Sequence, residues 1–330
     1  MSTISADASS WSSSAHEGRV SATGALGELP WGRRYLMCPP NYFEVVYEIN
    51  PWMHREVAVD ADRAREQWER LRATLQAAGA AIELMEPVQG VPDLTFVANA
   101  GLVNGEQFVP SRFRRPERQP ESVYDVEWFE ARGFTIDQLP DDVHHEGAGD
   151  ALPFGGVLVS GYRWRSDAAS HALLSDLTAT PVRSVELVDE HLYHLDLTFC
   201  PLDDRRAIVV PSSWDRYGCK VVEALVPEPL VLSQDEAMHF CANSVVIGKT
   251  VVMPYCTPRV GAVLERWGFD IVVCAMDEFQ KAGGGCRCLT LALDVRLPPE
   301  RYLNLEIAAR TRSPFLRATA TRADTHLRRA

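Results

Sequence analysis

The sequence predicts an α/β fold in which five similar modules, each about 47 residues long, close into a ring. An amphipathic helix followed by a short apolar run occurs five times along the chain. A second apolar strand follows each helix–strand pair and opens on a polar residue or a cysteine, at a nearly constant spacing. The N-terminal run Arg34-Tyr-Leu-Met also resembles Thr250-Val-Val-Met, which indicates equivalent places in two modules.

The first module starts with a helix whose apolar residues recur at intervals of three and four, through Ala64, Trp68, Leu71 and Leu75. The pattern ends near Gly79, and a strand is predicted over residues 82–85. The later helices are predicted over 126–132, 168–177, 214–225 and 260–267. The strands that follow them are predicted over 134–136, 182–187, 230–232 and 271–274.

The second strand of each module opens at an equivalent position. These opening positions are Asn99, Asp150, Asp196, Asn243 and Cys288. Four of the strands then turn into partner strands, predicted over 107–109, 157–160, 207–211 and 250–254. The strand after Cys288 has no such partner downstream, and the N-terminal run 34–40 is the candidate for it.

That pairing closes the chain into a ring, which removes exposed sheet edges. The alternative is ordinary α/β alternation whose spacing is regular by chance. In a closed ring the five opening positions surround one axis. We therefore expect residues nearly 200 positions apart to form a single central site.

Composition and charge indicate a globular protein that handles a small molecule. A hydrophobic fraction of 46% over 330 residues is ample for a packed core. The net charge of −12 argues against a nucleic-acid or polybasic membrane surface. No apolar run approaches the roughly 20 residues of a membrane helix. Eight cysteines without an export signal favour reduced thiols in the cytoplasm. A homo-oligomer is possible.

The chain divides into three predicted regions. Residues 1–32 are rich in Ser, Ala and Gly and predict a disordered extension. Residues 33–300 are predicted to form a single catalytic domain. Residues 301–330 carry seven arginines against Glu306 and Asp324, and they predict a loosely attached tail.

Residues that carry chemistry stand at or just before the opening positions. Cys288 is a candidate nucleophile, because a thiol beside a base or a positive charge becomes reactive. His194 is the candidate base, and Glu146 is the carboxylate that orients it. Three glycines at 283–285 let the backbone lie close to a ligand. The register of the repeat favours Cys288 and His194 over nearby residues of the same type. These are Cys286, His191, and His144 and His145, which are expected to face solvent.

A pocket for an amino acid with a cationic side chain is predicted from charges of both signs. Carboxylates offset the cost of burying a guanidinium, and arginines bind a carboxylate bidentately. The candidates for the cationic end are Asp93, Asp150, Asp196, Asn99, Asn50 and Asn243. The candidates for the carboxylate end are Arg165 and Arg112. The nearby arginines interpreted as a solvated face are Arg114, Arg115 and Arg118.

Six motifs match a known family in order. They are Leu36-Met-Cys-Pro-Pro, Ile49-Asn-Pro-Trp-Met, Pro92-Asp-Leu-Thr-Phe-Val-Ala-Asn-Ala-Gly, Glu146-Gly-Ala-Gly-Asp, His194-Leu-Asp and Cys288-Leu-Thr. Over roughly residues 33–297 the chain resembles the amidinotransferase, or guanidine-modifying, superfamily. The resemblance implies the pentein fold, a pseudo-fivefold α/β-propeller with five blades.

The resemblance also implies roles for individual residues. Cys288 matches the family nucleophile, His194 the proton-transfer histidine and Glu146 its acidic partner. Asp93 matches the guanidinium-binding aspartate of dimethylarginine dimethylaminohydrolases. The arginines that roughly match their carboxylate-binding pair are Arg112 and Arg165. No metal or organic cofactor is implied.

Two departures from the family bear on the substrate. Asn99 stands where dimethylarginine dimethylaminohydrolases and arginine deiminases carry a carboxylate. The Glu146 motif is one residue longer than the Glu-Gly-Gly-Asp of deiminases. The Ala-Asn-Ala-Gly form, together with Asn50, looks most like the arginine dihydrolases, which convert arginine to ornithine, ammonia and carbon dioxide.

The predicted function is hydrolysis of guanidinium C–N bonds through a covalent adduct on Cys288. An amide at Asn99 can both accept and donate a hydrogen bond, which suits a guanidinium and then a ureido oxygen. The alternatives are dimethylargininase activity, amidino transfer to an amine, and a non-catalytic binding ring. The presence of Cys288, His194 and Glu146 together argues against the last.

Overall fold

The computed structural model describes residues 27–298, in which the strands form five three-stranded sheets. In each sheet the middle strand pairs antiparallel with one neighbour and parallel with the other. The parallel neighbour follows a helix along the chain. These observations confirm a mixed α/β fold built from repeated small sheets.

The first elements supply two strands and the first long helix. They are β1 (Arg34–Met37), α1 (Ala61–Ala77) and β2 (Ala81–Leu84). The next module contains β3 (Gly101–Asn104), β4 (Gln107–Pro110), α2 (Glu121–Glu130) and β5 (Thr135–Ile136). The third contains α3 (Gly147–Asp150), β6 (Ala151–Phe154), β7 (Val157–Tyr162), α4 (Ala169–Thr178) and β8 (Val182–Glu186).

The remaining modules repeat the same order. The fourth contains β9 (Phe199–Pro201), β10 (Arg206–Val209), α5 (Arg216–Leu225) and β11 (Glu228–Val231). The fifth contains α6 (Gln234–Met238), β12 (Val245–Ile247), β13 (Thr250–Met253), α7 (Pro258–Arg266) and β14 (Asp270–Val273). The last two elements are α8 (Asp277–Gln280) and β15 (Leu291–Ala292). Each predicted helix and strand is found at or within a few residues of its expected place.

Helix α1 illustrates why the helices form where the periodicity predicts. Asp60 caps its N-terminus by accepting a hydrogen bond of 3.0 Å from the Arg63 N–H. Gly79 follows the helix with a φ of +101°, which a glycine adopts without strain, and the chain turns there into β2. The buried face is the predicted stripe of Ala64, Trp68, Leu71 and Leu75.

The N-terminal strand completes the sheet that the last strand begins. β1 pairs antiparallel with β15, with Tyr35 opposite Ala292 and Leu36 opposite Leu291. On its other side β1 pairs parallel with β2. The predicted pairing between the N-terminal run and the strand after Cys288 is therefore confirmed. The first and last parts of the described chain share one sheet.

The chain just before β1 packs against this body. Leu29 and Trp31 are buried, and the backbone N–H of Gly32 donates to the Asp294 carboxylate at 2.9 Å. Residues 28–32 thus belong to the folded part, although the sequence placed them in the extension. The rest of the predicted extension (1–26) and the predicted tail (301–330) lie outside the described residues.

The five opening positions lie in turns just before the strands rather than in the strands themselves. Asn99 and Asp196 sit in short 3₁₀ turns, and Asp150 ends the single turn of α3. Asn243 and Cys288 precede β12 and β15 by two or three residues. All five side chains are buried, and hydrogen bonds run between neighbouring turns. None of the helices in residues 27–298 has the length and hydropathy to cross a membrane.

Candidate active site

A narrow pocket lies among the turns that carry the opening positions. The nominated residues that line it are Asn50, Asp93, Asn99, Arg165, His194 and Cys288. The other lining residues are Ile49, Met53, Phe96, Arg118, Tyr193, Ala282, Gly283 and Gly284. A larger groove of about 870 Å³ lies beside Leu29 and Trp31 and contains none of the nominated residues, so the chemistry belongs to the narrow pocket.

Cys288 presents a buried thiol to this pocket. Its Sγ accepts a hydrogen bond of 3.1 Å from Asn243 Nδ2 and donates one of 3.5 Å to Asp196 Oδ2. Burial and the Asp196 carboxylate raise the pKa of Cys288 well above its usual value. The resting nucleophile is therefore a neutral thiol that needs a positive charge nearby before it ionises.

His194 lies between two carboxylates. Its Nε2 is 3.3 Å from Glu146 Oε2, and its Nδ1 is 3.1 Å from Asp150 Oδ1. The contact to Asp150 has ion-pair distance but is out of line for a hydrogen bond. Burial opposes the charged imidazole, but the two carboxylates outweigh it and raise the pKa of His194 to about 9. At neutral pH the imidazole is protonated and can act as an acid.

Glu146 is completely buried and contacts three partners. Its Oε2 accepts a hydrogen bond of 2.9 Å from Arg165 and faces His194, while Oε1 accepts one of 3.3 Å from the Arg114 backbone. Burial favours the neutral acid, but Arg165 and His194 hold the pKa of Glu146 below its usual range. The carboxylate is thus ionised and fixed beside His194, as the sequence predicts.

Asp150 lies behind His194 and does not line the pocket. Ser166 Oγ donates to its carboxylate at 2.6 Å, and the Leu195 backbone N–H donates at 3.1 Å. These two hydrogen bonds orient the Asp150 carboxylate so that its Oδ1 faces Nδ1 of His194. The expected contact between Asp150 and a substrate is therefore replaced by a role in holding the histidine, because the single turn of α3 brings this side chain under the imidazole.

Two further nominated residues contact the nucleophile instead of the pocket wall. Asp196 is completely buried against the Cys288 thiol, and burial raises its pKa to about 6 despite the nearby His194. Asn243 is also buried, and its amide bonds the Cys288 turn. Both were expected to bind substrate directly; both contact the Cys288 thiol, and neither is among the residues that line the pocket.

Asn99 has an orientation that its neighbours determine. Arg118 Nη1 donates to Asn99 Oδ1 at 2.9 Å, so the oxygen end of the amide is occupied. The Nδ2 end donates to the Glu146 backbone carbonyl at 3.0 Å and lies 3.4 Å from His194 Nε2. The assignment of oxygen and nitrogen follows from the arginine, which can only donate. Asn99 thus turns N–H groups toward the catalytic histidine.

Arg118 corrects the prediction of a solvated arginine run. Its guanidinium is buried, bonds Glu121 at 2.7 and 2.8 Å, and lies 3.9 Å from the Asp93 carboxylate. Arg115 is exposed, as expected, and Arg114 is half-buried against Asp167. A signal for Arg118 was present in the sequence, since Arg118 and Glu121 are spaced to pair across one helical turn.

Arg112 does not reach the pocket. Its guanidinium bonds the Leu139 carbonyl and Gln138, and it pairs with the exposed Asp141 at 2.8 Å. Its backbone forms an antiparallel bridge with His145, and that bridge turns the side chain outward. The second arginine of the pocket is therefore Arg118, and Arg112 is removed from the candidate site.

Asp93 offers a free acceptor to a ligand. It is buried, and its Oδ1 has no hydrogen-bond partner within the described part of the chain. Burial raises the pKa of Asp93 even though Arg118 lies near. Asn50, on the loop before α1, donates to Tyr193 Oη at 3.3 Å and to the Ala282 carbonyl at 3.0 Å. Both residues occupy the pocket wall as predicted.

The aromatic residue Tyr193 was missed by the sequence analysis. Its hydroxyl donates to the Gly283 carbonyl at 3.0 Å, and its ring packs 4.7 Å from the Arg165 guanidinium carbon. Gly283 has a φ of +81°, and a Cβ there would come 2.7 Å from Tyr193 Oη. This close approach explains why position 283, the first of the three consecutive glycines, is occupied by glycine. The position of Tyr193, directly before His194, was the available signal.

The competing histidines and cysteine lie elsewhere. His191 is half-buried beside Asp189, and His144 pairs with Asp167. His145 is completely buried rather than solvent-facing, and burial lowers its pKa to about 4. Cys286 contacts the Cys274 carbonyl and does not line the pocket. Residues 27–298 contain no group of three or more potential metal ligands.

Comparison with known proteins places this site in a family. No protein-family model matches the chain. The chain is 36% identical over 266 residues to the N(G),N(G)-dimethylarginine dimethylaminohydrolase of Mycobacterium tuberculosis, covering 80% of this chain and 87% of that protein. The chain belongs to the guanidine-modifying superfamily. Other members of this superfamily include two bifunctional arginine dihydrolase/ornithine cyclodeaminases, ArgZ from Synechocystis and AgrE from Nostoc.

These bifunctional members of the superfamily are larger proteins. ArgZ is 39% identical and AgrE 40% identical over 282 residues, which cover 84% of this chain and 40% of each relative. The chain thus spans about 40% of their length.

Solved structures of this superfamily match the chain closely. The N-terminal domain of ArgZ, a cysteine-to-serine variant bound to substrate, has a TM-score of 0.77 at 39% identity, covering 80% of this chain and 99% of that chain. An asparagine-to-serine variant of the same domain, covalently bound to a reaction intermediate, has a TM-score of 0.78, covering 81% and 99%. A dimethylarginine dimethylaminohydrolase adduct at 18% identity and a TM-score of 0.65 shares the fold, covering 79% and 99%.

Proposed function

We propose that this chain is a cysteine hydrolase of the arginine dihydrolase type, which cleaves two guanidinium C–N bonds to give ornithine, carbon dioxide and ammonia. The observation that carries the proposal is the convergence of Cys288, protonated His194 and the oriented amide of Asn99 on one pocket. The ArgZ structures with substrate and with a covalent intermediate support it, because they belong to relatives of the same fold.

We also propose that the five sheets close into a five-bladed ring and that residues 33–300 form a single catalytic domain. The pairing of β1 with β15 supports closure, since it places the two ends of the described chain in one sheet. The hydrogen bonds between successive opening positions support a common axis.

The pocket suits arginine at both ends. Asp93 offers an unpartnered carboxylate oxygen to the cationic guanidinium, and burying that cation needs such a partner. Arg165 lines the same pocket and can bind the α-carboxylate, whereas Arg118 lies near Asp93 and donates to Asn99, at the guanidinium end. Arg118 is held by Glu121 and Arg165 by Glu146, so each guanidinium is fixed before the substrate enters.

The charge state of the free site determines how the reaction starts. Cys288 is a neutral thiol and His194 an imidazolium, so no thiolate–imidazolium pair exists beforehand. A guanidinium in the pocket brings a positive charge next to Sγ and lowers the thiol pKa. The proton passes to the Asp196 carboxylate, which already accepts a hydrogen bond from the thiol. The cationic substrate therefore activates its own nucleophile.

The first hydrolysis follows from this arrangement. Sγ of Cys288 attacks the guanidinium carbon, and His194 gives its proton to the departing nitrogen, which leaves as ammonia. A thiouronium cation remains on Cys288. The neutral His194 then takes a proton from water as the oxygen attacks. The C–S bond breaks, the thiolate recovers its proton from Asp196, the hydroxyl of the adduct releases its proton to solvent, and citrulline results.

Asn99 allows the second hydrolysis at the same site. Its N–H groups point toward His194 and can donate to a ureido oxygen, which a carboxylate at this position cannot do. The ureido group carries no charge, so in this round the thiol proton passes to Asp196 as Sγ attacks the ureido carbon and the Asn99 N–H stabilises the developing oxyanion. His194 protonates the second departing nitrogen, which leaves as ammonia, and a thiocarbamate forms. Water releases a carbamate, which loses carbon dioxide to give ornithine.

The experiment that tests the proposal offers four substrates and identifies the products. Arginine, citrulline, asymmetric dimethylarginine and agmatine are incubated separately with the full chain. We expect ornithine from arginine and from citrulline, and little turnover of agmatine. A dimethylargininase, the alternative that the relative from Mycobacterium tuberculosis favours, instead releases dimethylamine from dimethylarginine and leaves arginine unchanged. Release of an amidinated amine when amines are added indicates amidino transfer.

A further inference from the structure

The side-chain amide of Asn243 bonds the nucleophile, the turn that carries it and the backbone of Asp196. Its Oδ1 accepts hydrogen bonds from the backbone N–H of Arg287 at 3.0 Å and of Cys288 at 3.3 Å. Its Nδ2 donates to Cys288 Sγ at 3.1 Å and to the Asp196 carbonyl at 3.2 Å. The side chain is completely buried and is not among the residues that line the pocket.

We propose that Asn243 is a positioning residue for the reaction, which holds the 285–288 turn and supplies a fixed N–H donor to Sγ whenever the thiolate is present. The inference rests on the proposed function only in taking Cys288 as the nucleophile. Asn243 touches Sγ in the resting site but no reacting carbon or nitrogen, and it acts through Cys288.

The surroundings of Sγ make a fixed donor important. Asp196 lies 3.5 Å away and its negative charge opposes thiolate formation. The other titratable groups that interact with the thiol are Tyr193 and Cys286, and both have raised pKa values because of burial. Against these stand two N–H groups, the backbone amide of Gly285 and Nδ2 of Asn243. His194 adds its charge from across the pocket.

The turn is built to keep this amide in place. A Cβ on Gly285 would lie 2.8 Å from Asn243 Oδ1, so only glycine lets the turn approach the amide so closely. The thiolate appears when Sγ attacks and again when the adduct is released. A donor already aligned at both moments needs no reorganisation, which is the general advantage of preorganised hydrogen bonds in catalysis.

The test measures ionisation of Cys288 without any substrate. Asn243→Ala removes the amide, and Asn243→Leu removes it while keeping nearly the same volume. The rate of iodoacetamide alkylation of Cys288, identified by peptide mass, is followed from pH 6 to 10. We expect alkylation at every pH in this range to slow by about tenfold or more, since the thiolate fraction falls by a factor of ten for each unit by which the pKa rises.

Ser244→Ala is the matched control. Ser244 is the next residue, is equally buried, and donates a hydrogen bond of 2.7 Å to the Cys241 carbonyl without contacting Cys288. We expect it to lower the melting temperature but to leave the alkylation rates unchanged. Wild-type alkylation profiles in both Asn243 variants, with only the melting temperature reduced, overturn the inference.

A second measurement covers the case in which neither Asn243 variant folds. Wild-type protein labelled with ¹⁵N-asparagine is titrated, and we expect the Asn243 side-chain amide signal to move with the thiol. An Asn243 signal that ignores this titration overturns the inference. Because neither measurement uses arginine, a chain that fails to hydrolyse arginine but shows slowed alkylation in its Asn243 variants contradicts only the proposed function.

Discussion

The Arg165 guanidinium donates a hydrogen bond of 2.9 Å to Oε2 of Glu146, the same carboxylate oxygen that lies 3.3 Å from Nε2 of His194. One arginine therefore touches both the substrate pocket and the partner of the proton-transfer histidine. Binding at the carboxylate end of a substrate and acid strength at the reacting end are linked through Glu146. An arginine that served only as a clamp would lack this connection.

Arg165→Ala is expected to reduce kcat as well as to raise KM for arginine. The loss of a charged hydrogen-bonding partner is about 1.5–3 kcal/mol, which is roughly 10- to 150-fold in kcat/KM. Part of that loss falls on kcat because Glu146 is left without its fixed cation beside His194. Steady-state kinetics measure the division. A variant whose kcat equals that of the wild type, with only KM raised, contradicts the link.

Alanine substitutions of Arg112 and Arg118, the two ends of the 112–118 segment, should have very different effects on the free energy of unfolding. Arg118→Ala leaves Glu121 buried and unpaired, which costs about 3–5 kcal/mol. Arg112→Ala removes a partly exposed ion pair with Asp141 and should change the free energy of unfolding by less than about 0.5 kcal/mol. Urea unfolding compares the two. Similar losses in both variants speak against the placement of Arg118.

The nucleophile is distinguished from its neighbour by paired alanine variants. Cys288→Ala should abolish turnover and keep the wild-type melting temperature within a few degrees. Cys286→Ala should retain turnover, because its thiol hydrogen-bonds the Cys274 carbonyl and is not among the residues that line the pocket. Product formation and thermal unfolding are measured for both. An inactive Cys286 variant beside an active Cys288 variant shows that the assigned register is wrong.

The periodicity of the sequence predicted most of what positions this site. Five equivalent openings predicted that Asn99, His194 and Cys288 meet, although they are far apart along the chain. The spacing could not predict which of the residues at the opening positions would line the pocket and which would contact the Cys288 thiol instead. Asp196 and Asn243 contact Sγ and are not among the residues that line the pocket.

The choice between arginines was also beyond the sequence pattern. Arg112 and Arg118 lie in one irregular segment with no periodicity to orient them. The direction of Arg112 depends on a backbone bridge to His145, and that of Arg118 on the buried carboxylate of Glu121. The first is a cross-loop contact, and the second is a local pair whose burial depends on the packing around it. A spacing of three between Arg118 and Glu121 suggests a pair but does not reveal that it is buried.

His194 should make the folded state more stable at lower pH. Its folded-state pKa of about 9 lies above the ordinary value of 6.5, so folding favours the protonated form. The resulting stabilisation, about 3 kcal/mol, is fully present below pH 6.5 and is lost as the pH rises through about 9. The difference in unfolding free energy between wild type and His194→Gln should fall by this amount across that window.

Asn99→Asp should separate the two hydrolyses. The new carboxylate keeps an acceptor for Arg118 and still binds a guanidinium, so arginine should be converted to citrulline at a rate within about tenfold of the wild type. The second oxygen replaces the N–H groups that face His194 and the Glu146 carbonyl, and it has no proton for a ureido oxygen. Citrulline should therefore accumulate, with about one ammonia per arginine instead of two, because one donor to the developing oxygen contributes about 3 kcal/mol.

Amino-acid analysis with an ammonia assay measures the ratio of ammonia to arginine consumed. Asn104→Asp, at the end of β3 and away from the pocket, is the control, and it should still release two ammonia per arginine. Ornithine and two ammonia from the Asn99 variant would show that this amide does not decide the product.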